Sequence, residues 1–317
     1  MSCLGARVRS MRRRRLLPDL ALPALVLAAF GVAPFVYSNE LMLFNFVAFL
    51  ALAQGLNIVY GFTGYLPFGY VGFYGAGAYG FALAVMHLHV GPFPALAVGG
   101  AAALVVAVIL IPLLRLSGAY FAIANLAAAQ AIYQVVSNPA LEDVTKGPYG
   151  VSLTSVFAPH LSYAVALIIM AATFGLVVWL RNSRFGLALQ AIREDPVSAG
   201  MAGISVVYGR TIAWLLSALI AGLVGGVFAW HISVFYPETA FDIGISIFAT
   251  VFTLFGGPAT LTGPLLGVLI LYGVYNTIGI TVPQYFQLIY GLLIVALVMF
   301  LPNGLVSLLT RRGIRVP

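Results

Sequence analysis

The chain contains 317 residues, of which 62% are hydrophobic and only 7% are charged. This balance excludes an ordinary soluble domain, because such domains carry about 25% charged residues. It indicates one membrane domain with several spans. The formal net charge of +7 does not indicate nucleic-acid binding, because nearly all basic residues lie in short segments beside apolar stretches. A single cysteine, Cys3, excludes an intrachain disulfide and a metal site built from cysteines alone.

The N-terminal tail, residues 1–15, is basic and precedes an apolar stretch at residues 16–37. Two interpretations compete for this arrangement: a cleaved signal peptide, and an uncleaved first span whose basic end lies in the cytoplasm. The apolar stretch is long for a signal peptide and further spans follow it directly, which favours the uncleaved span. The arginine run at residues 12–15 either binds anionic membrane lipid or serves orientation alone.

Hydropathy predicts an all-α, polytopic membrane protein with about ten transmembrane helices, each about 20 residues long. The predicted spans are residues 16–37, 41–60, 68–88, 94–114, 118–136, 161–180, 211–230, 243–255, 265–280 and 284–301. They form a single transmembrane domain at residues 16–310, followed by a short basic tail at residues 311–317. An even number of crossings places both termini on the same side.

The charged residues test this topology. Every arginine falls on the side of the N-terminus, within residues 7–15, 115, 181–210 and 311–315. The opposite side carries most of the acidic residues and one lysine: Glu40, Glu142, Asp143, Lys146, Glu238 and Asp242. Because basic loops stay on the cytoplasmic side, we predict that both termini are cytoplasmic.

Residues 61–80, GFTGYLPFGYVGFYGAGAYG, are rich in glycine and aromatic residues. One interpretation is a broken or re-entrant segment that lines a translocation path. The other, which we favour, is a tight loop followed by a small-residue face that lets helices pack closely. The two interpretations are compatible, and the residues they concern are Gly61, Thr63, Gly64, Gly72, Gly75, Gly77 and Tyr79.

The remaining loops predict no catalytic or metal site. Residues 137–160 form the longest external loop, which is either a docking surface or a solvated connector. The four histidines lie at predicted span ends, where interfacial positions explain them better than metal ligation. The sequence contains no GxxxxGK[ST] motif for ATP binding and no evident nucleophile–base pair. We therefore predict no cofactor in this chain and no enzymatic activity.

The loop at residues 181–210 is the one long polar interruption that is also basic. Residues 185–192 are predicted to form a short amphipathic helix. Asp195 suits an N-cap, Pro196 suits a first helical position and Gly203 suits a stop, so a second short helix should follow. The loop is either a topology signal alone or a contact surface for a partner.

No acidic or basic residue lies near the centre of any predicted span. Ion-coupled transporters usually place such residues at their midplane binding sites. A transporter without that group, and without its own nucleotide site, must take its energy from another subunit. The loop at residues 181–210 is the candidate place to receive it.

Several ordered stretches of the chain resemble LivM-type permeases of branched-chain amino-acid ABC importers. Among them are GLNIVYGFTGYLPFGYVGFYGAGAY, SRFGLALQAIREDPVSAGMAGI and FGGPATLTGPLLG. The full set covers residues 55–79, 114–127, 183–204, 221–230, 255–267 and 290–305. Each stretch alone is weakly specific, but their order and spacing over nearly the whole length are specific.

The resemblance implies that residues 183–204 are similar to the EAA loop, which docks on the ATPase subunit. Of the general EAA-x3-G pattern only Ala199 and Gly203 match, with Glu194 and Asp195 just upstream. The expected coupling residues are Arg193, Glu194, Asp195, Pro196, Ala199 and Gly203.

The resemblance further implies passive conduction in an ATP-driven importer of the bacterial inner membrane. The implied partners are a second homologous permease subunit, two ATPase subunits and a periplasmic substrate-binding protein. Tyr70-Val71-Gly72 and Thr145-Lys146-Gly147 depart from the His-Ala-Ala and Thr-Gly-Gly expected in the family. The resemblance implies branched-chain amino acids as the cargo. Because of these two departures, urea and short amides stay as alternatives. A secondary, ion-coupled transporter is the alternative function, and a membrane enzyme or scaffold is a third.

Overall fold

The computed structural model describes residues 22–37, 39–281, 283–285, 288, 291–292, 295 and 304–306. Nearly all of these residues are helical, which confirms the all-α, polytopic fold. The α-helices are α1 Leu22–Val36, α2 Glu40–Thr63, α3 Val71–Leu88, α4 Pro92–Ile109, α5 Gly118–Val136, α6 Glu142–Thr145, α7 Pro159–Asn182, α8 Arg184–Glu194, α9 Pro196–Met201, α10 Val206–Ile232, α11 Pro237–Ala240, α12 Ile243–Gly256 and α13 Thr262–Thr281.

Among the described residues, eight segments are long and apolar enough to cross a membrane, and they coincide with the second to ninth predicted spans. The first predicted span corresponds to α1, which is shorter within the described residues. The fourth span ends earlier than predicted: α4 stops at Ile109 and a 3₁₀ turn, Ile111–Arg115, follows. Pro112 explains this end, because proline has no N–H to continue a helix.

Other predictions fall outside the described residues. These concern the tail at residues 1–15 with its arginine run, most of the tenth span at residues 284–301, and the tail at residues 311–317. Lipid binding by the N-terminal arginines, cleavage of the N-terminus and the position of the C-terminus therefore stay predictions.

The centre of the molecule is α10, which packs against α2, α3, α4 and α7. Small residues allow this packing: a Cβ atom added at Gly77 of α3 would overlap the carbonyl of Gly222 in α10. Where α10 meets α4, the indole N–H of Trp214 donates a 2.9 Å hydrogen bond to the carbonyl oxygen of Ala107. That bond satisfies the polar end of a fully buried side chain.

The loop between α5 and α7 is folded onto the far end of α10. Its short strand β1, Val151–Ser152, pairs antiparallel with β2, Val234–Phe235. The N–H of Leu153 also donates to the carbonyl oxygen of Ser233 at 2.6 Å. These bonds give the predicted connector a fixed position beside α10 and α11.

Candidate functional site

The polar loop at residues 181–210 contains the two short helices that the sequence predicts, α8 and α9. The hydroxyl of Ser183 caps α8 by accepting a 3.0 Å hydrogen bond from the N–H of Gly186. Leu189 and Ile192 are buried on one face of α8. Because α8 packs against α2, α7 and α10, the loop lies against the ends of the spans.

Two arginines fasten this loop to the region that connects α2 to α3. The Nη1 atom of Arg193 donates a 2.6 Å hydrogen bond to the carbonyl oxygen of Gly61, in the last turn of α2. The guanidinium carbon of Arg210 lies 4.3 Å from the centre of the Tyr65 ring, a cation–π contact. The structure thus brings Arg193, one of the predicted coupling residues, into contact with the first glycine of the glycine-rich segment.

Asp195 and Pro196 begin α9 in the positions that the sequence predicts. Asp195 Oδ1 accepts a 2.9 Å hydrogen bond from the N–H of Val197, and the hydroxyl of Ser198 donates to Oδ2. The bond from Ser198, and then that from Val197, lower the pKa of the Asp195 carboxyl below its ordinary value. Gly203 follows the helix with φ of +82°, a conformation that favours glycine.

The orientation of α9 decides which of its residues a partner could contact. Ala199 is only 4% exposed and lies on the side where α9 packs against α8 and α10. Val197 and Met201 are 69% and 79% exposed. The outward surface of α9 is therefore formed by Val197, Gly200 and Met201, whereas the matched position Ala199 faces its own chain. Glu194 is exposed beside them.

Two buried amides in α2 hold the hairpin that connects α12 to α13. Gln54 Nε2 donates to the carbonyl oxygen of Leu261 at 2.6 Å. Asn57 Nδ2 donates to the carbonyl oxygen of Thr260 at 2.9 Å, and Asn57 Oδ1 accepts from the N–H of Ala259 at 2.8 Å. Because buried polar groups need such partners, these bonds fix the hairpin on α2.

The amide network and the arginine contact adjoin each other. Asn57 and Gly61 are one turn apart in α2. A Cβ atom added at Gly61 would overlap the side chain of Asn57 and lie 2.6 Å from the nitrogen of Ala259. We call this contiguous group, formed by Arg193, Gly61, Asn57 and hairpin residues 257–261, the α2 junction. It connects the polar loop to three spans: α2, α12 and α13.

The glycines of α3 support the packing interpretation of the glycine-rich segment. A Cβ atom added at Gly72 would lie 3.0 Å from the Cβ atom of Ala129 in α5, and one at Gly75 would overlap the ring of Phe241. Gly77 meets α10, as described above. Each of these glycines therefore permits close contact with a different part of the core.

The stretch between α2 and α3 also contains buried irregular backbone. Gly64 ends α2 with φ of +78°. The N–H of Gly69 donates to Asn125 Oδ1 at 2.7 Å, and the N–H of Val71 donates to the hydroxyl of Ser246 at 2.8 Å. Irregular backbone within a membrane would need such partners, so these bonds are compatible with both interpretations, and the path-lining role stays a prediction.

Thr63 and Tyr79, two further residues of the glycine-rich segment, lie in different surroundings. The hydroxyl of Thr63 donates to the carbonyl oxygen of Val59 in its own helix at 2.7 Å. The ring of Tyr79 packs against Phe235 and Phe241, and its buried hydroxyl has no hydrogen-bond partner within the part of the chain that the structure describes. A role of these residues in a translocation path stays a prediction.

The buried amides Gln54, Asn57 and Asn125 were not predicted from the sequence. They carry no charge, and the prediction for the span centres concerned charged groups alone. An amide within an apolar helix was the available signal, because a polar group in such a place must find a partner.

Comparison with known proteins identifies relatives over most of the chain. The chain is 27% identical over 292 residues to the high-affinity branched-chain amino acid transport system permease protein LivM of Escherichia coli (strain K12), covering 82% of this chain and 68% of that protein. LivM of Salmonella typhimurium matches to the same extent. The probable branched-chain amino acid transport permease protein LivH of Methanocaldococcus jannaschii is 29% identical over 151 residues, covering 45% of this chain and 47% of that protein.

No solved structure matches the chain at a significant level. The family described as the permease component of branched-chain amino acid transport systems matches residues 36–298. This match includes α2 to α13, the polar loop and the α2 junction. The chain therefore belongs to the family of branched-chain amino acid transport system permease components.

Proposed function

We propose that this chain is the membrane-spanning conduction subunit of an ABC importer for branched-chain amino acids. The family match over residues 36–298, supported by the LivM and LivH relatives, carries the proposal. The loop that resembles an ATPase-docking loop also has an exposed apolar surface on α9, at Val197 and Met201. Exposed apolar side chains of this kind are typical of a protein contact.

In this proposal, the ATPase subunits act on the spans through the α2 junction. An ATPase subunit contacts the outward surface of α9 and moves the loop when it binds ATP. Because Arg193 joins the loop to Gly61, and Asn57 joins α2 to the hairpin, the movement reaches α2, α12 and α13 together. A rigid-body tilt of these spans then opens the path alternately to the two sides.

We propose the partners and location that the resemblance implies. They are a second homologous permease subunit, two ATPase subunits and a periplasmic substrate-binding protein, assembled in the bacterial inner membrane. Since the sequence contains no GxxxxGK[ST] motif, the ATPase subunits supply the nucleotide site. This chain acts as a transport subunit and catalyses no reaction of its own.

Reconstitution tests the proposed function. The purified complete transporter is placed in proteoliposomes with the binding protein on the outer side, and uptake of radiolabelled L-leucine is measured. Uptake should require ATP at the ATPase subunits and should cease when the binding protein is omitted. Valine and isoleucine should compete, whereas urea and acetamide should not.

The isolated chain provides the opposing test. Purified alone in proteoliposomes, it should neither hydrolyse ATP nor accumulate L-leucine in response to a proton or sodium gradient. Gradient-driven uptake by the isolated chain would establish a secondary transporter instead. ATP hydrolysis by a preparation free of other subunits would contradict the assignment of the nucleotide site to its partners.

A further inference from the structure

A cavity of about 340 Å³ lies between α2, α12 and α13 and is distinct from the α2 junction. Its polar residues include Asn45 in the first half of α2, Asp242 at the start of α12 and Asn276 in the last half of α13. Asn45 precedes Gly61 by 16 residues, so the cavity lies about 24 Å along α2 from the junction. Its volume falls near the lower end of the range of about 300–1,000 Å³ for small-molecule sites.

Asp242 is an exposed residue that supplies a negative charge to this cavity. Its Oδ1 atom caps α12 by accepting a 2.8 Å hydrogen bond from the N–H of Gly244. Among the described residues, Oδ2 accepts no hydrogen bond, so its lone pairs remain for a ligand. The lining residues that the structure describes include no lysine or arginine, so the charge has no basic partner in the cavity wall. A ligand that carries a cationic group would provide one.

The amides add neutral hydrogen-bonding groups beside this charge. The side chains of Asn45 and Asn276 both lie close to the hydroxyl of Tyr272. Asn276 Nδ2 also donates to the backbone carbonyl of Tyr272 at 3.0 Å, which fixes the amide orientation. An amide nitrogen carries two N–H donors, so both residues have the chemistry to bind a carboxylate.

The rest of the wall is aromatic. The rings of Phe49 and Phe248 meet edge to face with centroids 5.9 Å apart, and Phe248 meets Tyr275 at 5.0 Å. Tyr275 lies close enough to Asp242 for an electrostatic interaction. An apolar surface therefore adjoins the carboxylate and the amides within one cavity.

We propose that this cavity is a binding site for an aliphatic α-amino acid on its path through the subunit. Asp242 pairs with the ammonium group, Asn45 and Asn276 donate hydrogen bonds to the carboxylate, and Phe49 and Phe248 contact the side chain. An anion would be repelled by the negative charge of Asp242, and a neutral amide would lack the ammonium group that Asp242 attracts. The inference rests on the proposed function and adds to it the residues that hold the cargo.

Asp242→Asn tests the charge, because asparagine has nearly the same shape and is also a favourable N-cap for α12. In proteoliposomes with the complete transporter and binding protein, the initial rate of L-leucine uptake should fall about tenfold or more, as expected for the loss of a charge-assisted contact. Asp242→Glu keeps the charge and should recover part of the rate. Asp143→Asn, a matched change at an exposed carboxylate of α6 outside the cavity, should leave the rate unchanged.

Each variant is checked for membrane abundance and for co-purification of the ATPase subunits. Asn45→Ala lies on α2 and tests the site independently of the α12 cap; its uptake rate should fall several-fold at normal abundance. Wild-type rates in Asp242→Asn or Asn45→Ala would overturn the inference. Equal loss in Asp242→Asn and Asp242→Glu would also overturn it, because the charge would then not be the determinant. Absence of L-leucine uptake in the wild-type transporter would instead contradict the proposed function.

Discussion

Arg193 joins the polar loop to the last turn of α2 by a hydrogen bond. Its 2.6 Å hydrogen bond to the Gly61 carbonyl is charge-assisted, and bonds of this kind contribute about 1.5–3 kcal/mol. Arg193 is exposed apart from this contact, so its side chain can serve as a movable connection. Replacing Arg193 should therefore lower the rate of transport more than it lowers the stability of the fold.

Arg193→Gln should lower ATP-dependent L-leucine uptake about tenfold, the factor that corresponds to about 1.4 kcal/mol. Co-purification of the ATPase subunits should persist, since the outward surface of α9 is unchanged. The control is Arg184→Gln, which removes an exposed arginine from the start of the same helix and should have little effect. Loss of the ATPase subunits from Arg193→Gln would show that Arg193 contributes to docking instead of to transmission.

Asn57 joins α2 to the hairpin within the α2 junction, and replacing it should lower the stability of the protein. Asn57→Leu keeps a similar volume but leaves the N–H of Ala259 and the carbonyl of Thr260 without the partners they have now. Both groups are half-buried, and a fully buried orphan costs about 1–3 kcal/mol, so the melting temperature of the protein in detergent should fall by a few degrees. Thr63→Val is the control, because the Thr63 hydroxyl bonds to a carbonyl of its own helix. An unchanged melting temperature in Asn57→Leu would mean that the hairpin is held by other contacts.

At the scale of the element, α9 is a six-residue helix that owes its position to its neighbours. Helices of this length are unstable alone in water, so α8 and α10 must support it. The support buries Ala199 and presents Val197 and Met201 outward. A test of docking therefore belongs on the outward surface, since Ala199→Glu would place a charge inside the loop itself.

Met201→Glu should leave membrane abundance normal while abolishing ATPase co-purification and uptake. The added charge would be desolvated in the contact without a partner, which costs several kcal/mol. Met201→Leu keeps an apolar side chain of similar volume and should remain active. Normal ATPase co-purification with Met201→Glu would exclude this surface of α9 from the contact.

For the two helices of the loop, the starting residues could be predicted from the sequence, but the directions of their side chains could not. Capping residues and proline act locally, so Ser183, Asp195 and Pro196 mark helix starts in the sequence as in the structure. The neighbouring sequence does not determine on which side of α9 Ala199 lies, because six residues are too few for a periodic apolar pattern. The α2 junction depends on contacts between residues as far apart as Asn57 and Thr260, 203 positions along the chain, which no single stretch encodes.

The eight apolar spans were predictable for a different reason. A helix in hydrocarbon satisfies its own backbone, so length and hydropathy alone place it. The polar part of the cavity wall, formed by Asn45, Asp242 and Asn276, could not be placed in this way, because it joins α2 to α12 and α13, which lie about 200 residues further along the chain. Only Asp242 was noticed, and then only as a charge on the external side.

At the scale of the whole molecule, α2 has chemically different neighbours at its two ends. Its 24 residues span about 36 Å, enough to cross a bilayer. At its first residue, Glu40 lies 3.2 Å from His160. At its last turn, Gly61 meets Arg193, and the hairpin at residues 257–261 lies beside it. The polar loop and this hairpin thus share one end of the bundle, and Glu40 and the start of α7 share the other.

This separation leads to a prediction about orientation, since arginine-rich loops remain in the cytoplasm. A reporter enzyme fused after Arg315 should report a cytoplasmic C-terminus, and one inserted near Glu142 should report the periplasm. The control is a reporter inserted near Gly203, in the polar loop. It should give the cytoplasmic signal, and because Gly203 precedes α10, the number of spans beyond α13 does not affect this result. Because residues 284–301 are predicted to form a tenth span, the C-terminal fusion tests their crossing directly. A periplasmic signal there, with a cytoplasmic signal at Gly203, would mean that an odd number of crossings follows Gly203 instead of the predicted four, and the ten-span topology would be wrong.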